Sequence, residues 1–194
     1  MSKSLFISVE GIDGVGKSTV VRHLVNGWFP GAVVTRQPLL DIRLLLMRPE
    51  ITAECEALLA VASLRFELDV RIEPALKEGK VVISDGFYDS LVAYQGHGRE
   101  LDIVWLEGLI PQRDPDLTIL LDCDPKVAAT RIKHRSGFDR TEMEDLDFHR
   151  KARAGFLDQA ERQYDRIVVI NAERPLEEVL KDVDGEIRGV YHEG

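Results

Sequence analysis

Residues 11–18 read Gly-Ile-Asp-Gly-Val-Gly-Lys-Ser: a glycine, four residues, then Gly-Lys-Ser. Glycines let the chain curl so that its backbone N–H groups point into one concavity, and a helix opening at Lys17 adds its positive end. A lysine there reaches the β- and γ-phosphates of a nucleotide, and the hydroxyl of Ser18 ligates Mg²⁺. This is the spacing of a phosphate-binding P-loop. Its flanks agree, since the apolar run 5–9 precedes it and the amphipathic stretch 19–25 follows. A nucleoside triphosphate is the expected ligand, held by Gly11, Asp13, Gly14, Val15, Gly16, Lys17, Ser18 and Thr19.

Phosphoryl chemistry on such a loop needs a carboxylate for the metal and cations for the developing charge. Two apolar runs end in an acid, Val-Val-Ile-Ser-Asp85 and Thr-Ile-Leu-Leu-Asp122. Either could serve the metal while the other belongs to the helix start near Asp124-Pro125, and spacing alone does not choose. Cations concentrate in 131–142, where Arg131, Lys133, Arg135 and Arg140 surround Ser136-Gly137. A solvated basic turn, paired with Asp139, Glu142, Glu144 and Asp145, is one reading. With a P-loop upstream, a lid that closes guanidinium groups over a transferring phosphoryl group is the better one.

Elements able to hold these groups alternate along the chain. Apolar runs at 5–10, 32–36, 81–85, 117–122 and 167–170 read as buried parallel strands. Helical patterns follow the P-loop and recur at 52–78, 101–112, 125–134, 142–164 and 175–188, with Pro74 expected to kink the longest. That order predicts a doubly wound α/β fold whose ligands lie at the carboxyl ends of the strands. No repeat, low-complexity segment or linker divides the 194 residues, so one domain over 1–194 is expected. His97, between Gly96 and Gly98, reads as loop punctuation, Trp28 and Trp105 as core residues, and the tail 190–194 as frayed.

Composition narrows the function classes. A net charge of −9 argues against broad nucleic-acid binding, which needs a basic face. No apolar run approaches the ~18–20 residues of a membrane span, and the start lacks the layout of a signal peptide. Cys55 and Cys123 lie far apart without metal-type spacing and read as reduced core thiols of a cytoplasmic protein. An Asn-Lys-x-Asp guanine-reading motif and a Leu-Ser-Gly-Gly-Gln-like signature are both missing, which leaves a small-molecule kinase ahead of a GTPase or a transporter ATPase.

Along nearly its whole length the sequence resembles the thymidylate kinase family. The matches, in order, are 7–19 around the P-loop, Val34-Thr35-Arg36-Gln37-Pro38, Ile83 to Ser90 followed by Ala93-Tyr94-Gln95-Gly96, Pro115 to Asp122, and Asp139-Arg140-Thr141-Glu142. The resemblance implies a P-loop fold with a five-stranded parallel sheet flanked by helices, ATP as donor, Mg²⁺ and a homodimer. It implies transfer of the ATP γ-phosphoryl group to dTMP or a related acceptor. It assigns the metal to Ser18 and Asp85, leaves Asp122 structural, and gives the catalytic charge to Lys17, Arg131, Arg135 and Arg140. Arg36 then meets the acceptor phosphate, and Arg65, Asp89, Tyr94 and Gln95 are candidate acceptor contacts.

Departures cluster on the acceptor side. The family's phosphate-contacting arginine is here Gly86, its stacking aromatic falls at Ala60, its base-reading arginine at Leu64 with Arg65 adjacent, and a hydroxyl residue at Leu91. The loop after Pro38 is also several residues shorter. Two alternatives follow: a kinase for a non-thymidine or modified acceptor, or a nucleotide-binding switch with little transferase activity.

Overall fold

The structure, a computed structural model, describes residues 4–48, 50–111, 113–132 and 144–192. Five strands form one parallel sheet: β1 (Leu5–Glu10), β2 (Val33–Arg36), β3 (Val81–Asp85), β4 (Leu117–Asp122) and β5 (Ile167–Asn171). Their order is β2-β3-β1-β4-β5. Because the chain leaves β1 toward one edge and later returns to its other side, a crevice opens at the carboxyl end of β1. Register lines up the groups that face it, pairing Val9 with Asp85 and Arg36 with Asp85.

Helices cover both faces. They are α1 (Lys17–His23), α2 (Leu40–Leu46), α3 (Ala53–Glu67), α4 (Glu73–Lys77), α5 (Tyr88–Leu91), α6 (Ile103–Leu109), α7 (Pro125–Ile132), α8 (Leu146–Arg162) and α9 (Leu176–His192). All six residues of β1 are buried, and their alternation splits the core. Ile7 and Val9 join Val20 and Leu24 after the P-loop and Val183 and Ile187 of α9. Phe6 points the other way, among Leu64, Ile72, Val82, Phe87 and Leu106. Each such side chain contributes roughly 1.5–3 kcal/mol by leaving water. Polar groups within the sheet are paired: Ser8 with Thr118 at 2.7 Å, and Thr35 with Ser84 at 2.9 Å.

Element ends differ from the sequence reading where a cap decides them. Asp145 accepts from the N–H groups of Asp147 and Phe148, so α8 starts at Leu146 rather than 142. Asp102 does the same for Val104 and Trp105, delaying α6 to Ile103. The expected helix 52–78 is α3, a widened π-helical turn Leu68–Ile72, and α4, with Pro74 in the first turn of α4, where a missing N–H is tolerated. Two helical stretches were not expected: α2, and α5 running into another wide turn, Val92–Gly98.

His97 belongs to that turn and lies against α8 so closely that a Cβ on Gly155 would meet its ring at 2.5 Å. Residues 190–192, expected to fray, continue α9, and the Tyr191 ring sits 5.4 Å from Phe29, edge to face. Cys55 and Trp105 are exposed rather than core, while Cys123 is buried. Among the described residues no helix is long and apolar enough to cross a membrane.

Candidate active site

The loop between β1 and α1 is shaped by its glycines. Gly11 at φ +129° and Gly14 at φ +87° occupy backbone space that L side chains rarely enter. A Cβ on either would also come within 2.4 Å of a backbone oxygen, that of Leu121 or of Ala128. The turn therefore packs directly onto β4 and α7. Lys17 curls back over it, donating to the carbonyls of Gly11 at 2.7 Å and Ile12 at 3.2 Å, with Asp13 Oδ1 at 3.4 Å.

Beside the loop, Ser18 Oγ donates to Asp85 Oδ2 at 2.8 Å, and Arg36 Nε stands 4.0 Å from the same oxygen. A cavity runs along these groups, bounded by Gly16, Lys17, Ser18, Thr19 and Arg131. Arg131 is tied to the loop's surroundings, donating to Ala172 O at 3.0 Å and, at 3.5 Å, to Val15 O. A polar cleft lined by four cations, Lys17, Arg22, Arg36 and Arg131, against the two carboxylates of Asp13 and Asp85 is suited to a polyphosphate.

A second cavity of about 850 Å³, open mouth included, leads away from the same point toward α3. Asp13, Lys17, Arg36 and Asp85 line both cavities. The second is lined in addition by Leu46, Ala60, Leu64 and Leu91, with Gln37, Arg43, Glu56, Ser90, Tyr94 and Gln95 as its further polar groups. Gly86, at φ +81°, lines it beside Phe87.

The expected site residues divide accordingly. Gly14, Gly16, Lys17, Ser18, Thr19, Asp13, Arg36, Asp85 and Arg131 meet in the first cavity, and Tyr94 and Gln95 lie in the second. Arg65 does not: it is exposed and pairs with Asp69 at 2.8 Å, one helical turn on, while its neighbour Leu64 faces the cavity. One residue along a helix is a rotation of about 100°, enough to move a side chain from pocket to solvent. Asp89 is not there either. It is buried and doubly bonded to Arg166, Nη2 to Oδ1 at 2.7 Å and Nη1 to Oδ2 at 3.1 Å. Asp122 is engaged by Arg153 of α8 in the same forked way, at 2.7 and 2.8 Å. Arg135 and Arg140 lie outside the described residues.

Three residues were missed. Arg43 of α2 lines the second cavity and donates, at 3.4 Å each, to the carbonyls of Gln37 and Pro38. Gln37 joins the end of β2 to α3 by accepting from the Ser63 hydroxyl at 2.7 Å. Glu56, buried on α3, accepts from Gln95. The first two sit in a stretch whose short helix carries little periodic signal, and the third depends on a pairing across 39 positions.

Electrostatics mark the floor of the site. Burial pushes the Glu10 carboxyl up to about 8, aided by the charge of Asp89 and opposed by bonds from Ser90 and the Phe87 N–H. Burial likewise raises the Tyr94 phenol, with Asp13 adding to it. His149 is held below its usual value by burial, against the pull of Asp13, Glu144 and Asp145.

Comparison with known proteins agrees with this geometry. The profile of the family described as Thymidylate kinase matches residues 9–183. A thymidylate kinase of Lactobacillus acidophilus is 39% identical over 204 aligned residues, 96% of this chain and 94% of the relative. One from Clostridium novyi is 37% identical, covering 97% of this chain and 100% of the relative, and one from Bacillus cereus is 39% identical over 93% and 95%. A phosphate-binding loop at the crevice of a five-stranded parallel sheet, and relatives matched almost end to end, lead to one conclusion: the chain belongs to the thymidylate kinase family.

Proposed function

We propose that the protein transfers the γ-phosphoryl group of ATP to thymidine monophosphate or a closely related nucleoside monophosphate. The observation that carries this is the meeting of two cavities at Asp13, Lys17, Arg36 and Asp85, which brings a donor triphosphate and an acceptor phosphate to one place. An oxygen of the acceptor phosphate attacks the γ-phosphorus, the bond to the β–γ bridging oxygen breaks, and ADP leaves with that electron pair.

In this reading Lys17 and the loop amides hold the donor, and Arg36 with Arg43 holds the acceptor phosphate. Arg131, joined by Arg135 and Arg140 of the lid over about 131–142, offsets charge developing on the transferred group. The Ser18 hydroxyl and Asp85 carboxylate, 2.8 Å apart, offer the hard oxygen ligands that Mg²⁺ takes, and these two residues would hold it. When bound, the ion neutralises phosphate charge. Lys17 and Arg36 orient the reactants around it.

The active unit is proposed to be a homodimer in the cytoplasm. Leu58, Phe66 and Val70, eight and then four positions apart along α3 and the following turn, are each half exposed, an apolar stripe that a second copy would cover. The test of function is ADP release from Mg-ATP across a panel of nucleoside monophosphates. Acceptor-dependent turnover supports a kinase, and the preferred acceptor defines it. Nucleotide binding without turnover on any acceptor overturns the proposal in favour of a switch.

A further inference from the structure

Gln37 lines the second cavity directly after Arg36, one of the residues common to both cavities. Its backbone is held on two sides: the N–H donates to Asp85 O at 3.2 Å, and the carbonyl accepts from Arg43 Nη2 at 3.4 Å. Its side chain is held by Ser63 of α3. That hydroxyl is 1% exposed, accepts from the Leu39 N–H at 2.9 Å and donates to Gln37 Oε1 at 2.7 Å.

A hydroxyl has one proton to give. Ser63 gives it to Gln37, and only the carbonyl end of an amide can take it, so the N–H₂ end is turned away from Ser63. That end is buried, and among the described residues nothing accepts from Nε2. Donors withdrawn from water and left unmet are costly, which is the mark of a group whose partner arrives with a ligand. The surroundings say what kind of partner. Arg36 precedes Gln37 in the chain and Arg43 touches its carbonyl, so guanidinium groups flank it in the same cavity. Gly86 adds no side chain on this side; a Cβ there would stand an ordinary 3.9 Å from Gln37 Cβ. An anion with several acceptor oxygens suits that set of donors.

We infer that Gln37 is an acceptor-binding residue: its N–H₂, oriented by Ser63, donates to a phosphate oxygen of the acceptor alongside Arg36 and Arg43. This deepens the kinase reading above and rests on it. What the amide distinguishes is an acceptor that carries phosphate from the same nucleoside without it. One hydrogen bond to a charged group is worth roughly 10- to 100-fold in affinity.

The test uses thymidine monophosphate as acceptor with Mg-ATP, and thymidine as a competing ligand. If another nucleotide proves the better acceptor in the panel, it and its own nucleoside form the pair. Gln37→Met keeps the length of the side chain and removes the donor. The KM for the monophosphate should rise about 10-fold or more, with the KM for ATP and the inhibition constant of the nucleoside within about twofold of wild type. Gln37→Glu has the same shape and still accepts from Ser63, but it turns an anionic oxygen toward the phosphate, so the acceptor KM should rise at least as far. A residue that merely ties β2 to α3 would tolerate the glutamate, and its loss would weaken nucleotide and nucleoside alike. An unchanged acceptor KM in Gln37→Glu, or equal losses for the two ligands in Gln37→Met, overturns the inference. Should the variants fail to fold, NMR of the wild type decides. The Gln37 side-chain amide signals should move on titration with the monophosphate and stay in place with the nucleoside; no movement, or equal movement with both, overturns it as well. If no nucleoside monophosphate binds or supports turnover, the kinase reading itself falls, an outcome distinct from turnover that is indifferent to Gln37.

Discussion

Removing the Asp89 carboxylate separates a structural role from an acceptor contact. Arg166 is 8% exposed and Asp89 1%, and their forked pair is completed by Tyr88 Oη at 2.6 Å and Thr118 Oγ1 at 2.7 Å from the guanidinium. Asp89→Ala leaves a buried guanidinium with three neutral oxygens, those of Tyr88, Thr118 and Gln163, and only the more distant charge of Asp114, which costs about 3–5 kcal/mol. In a chain of this size each kcal/mol moves the melting temperature by ~2–4 °C, so a drop of roughly 6–20 °C is expected, toward the lower end because the three neutral partners and Asp114 remain. Asp89→Ala with Arg166→Met should recover much of it, since the stranded charge is then gone. Calorimetric melting reads the stability, and acceptor KM at 25 °C on the folded protein should stay within twofold. An unchanged melting temperature with a tenfold rise in acceptor KM would refute the structural reading and return Asp89 to the binding site.

Gly86→Arg places a side chain at φ +81°, where its Cβ would have room at 3.5 Å from Ser90 Oγ. The left-handed backbone costs ~1–2 kcal/mol, or about 2–8 °C of melting temperature, while kcat/KM for thymidine monophosphate should rise; no kinetic change refutes the role given to this position. Arg65→Ala, at a solvated surface pair, should leave stability and acceptor KM alone, whereas Arg43→Met should raise acceptor KM by ~10-fold or more, and reversed outcomes would mean that α3 is misread. Glu10, pushed up to about 8, keeps its proton in the folded chain at pH values where the unfolded chain has lost it. The stability this contributes is whole below about pH 4.5 and is lost as pH rises through 8. Urea midpoints between pH 5.5 and 8.5 should therefore fall less for Glu10→Gln than for wild type, and parallel curves would count against the shift.

What was legible in the sequence was whatever is built from consecutive residues. Strands β1, β3 and β4, buried almost throughout, are apolar runs, and the partly exposed edges β2 and β5 keep enough of that signal, so all five were placed within a residue or so, and the loop from Gly11 to Thr19 is marked by its own spacing. Helix ends were less legible, because Asp102 and Asp145 cap helices inside stretches whose periodicity begins earlier. The wide turns at Leu68–Ile72 and Val92–Gly98 have no periodic signature; the second exists because α8 lies against it, with Gly98 leaving no space for a Cβ beside Phe148. The partners of Asp89 and Gln95 were hidden for the same reason. Arg166 is 77 positions from Asp89, and Glu56 is 39 from Gln95.

The same distinction accounts for where this chain departs from its family. The donor side comes from one continuous loop and the adjoining ends of β2 and β3, whose register fixes Arg36 beside Asp85. A change there disturbs the sheet or the glycine turn along with the chemistry. The acceptor side is assembled from single side chains on separate elements: Arg43 from α2, Ala60 and Leu64 from α3, Leu91 from α5, Gln95 from the wide turn after it. Each can be exchanged at the cost of its own contacts alone. Ala60, Leu64, Gly86 and Leu91, the four positions read from the sequence as departures, all line one cavity, while Gly14, Gly16, Lys17, Ser18 and Thr19 of the loop line the other.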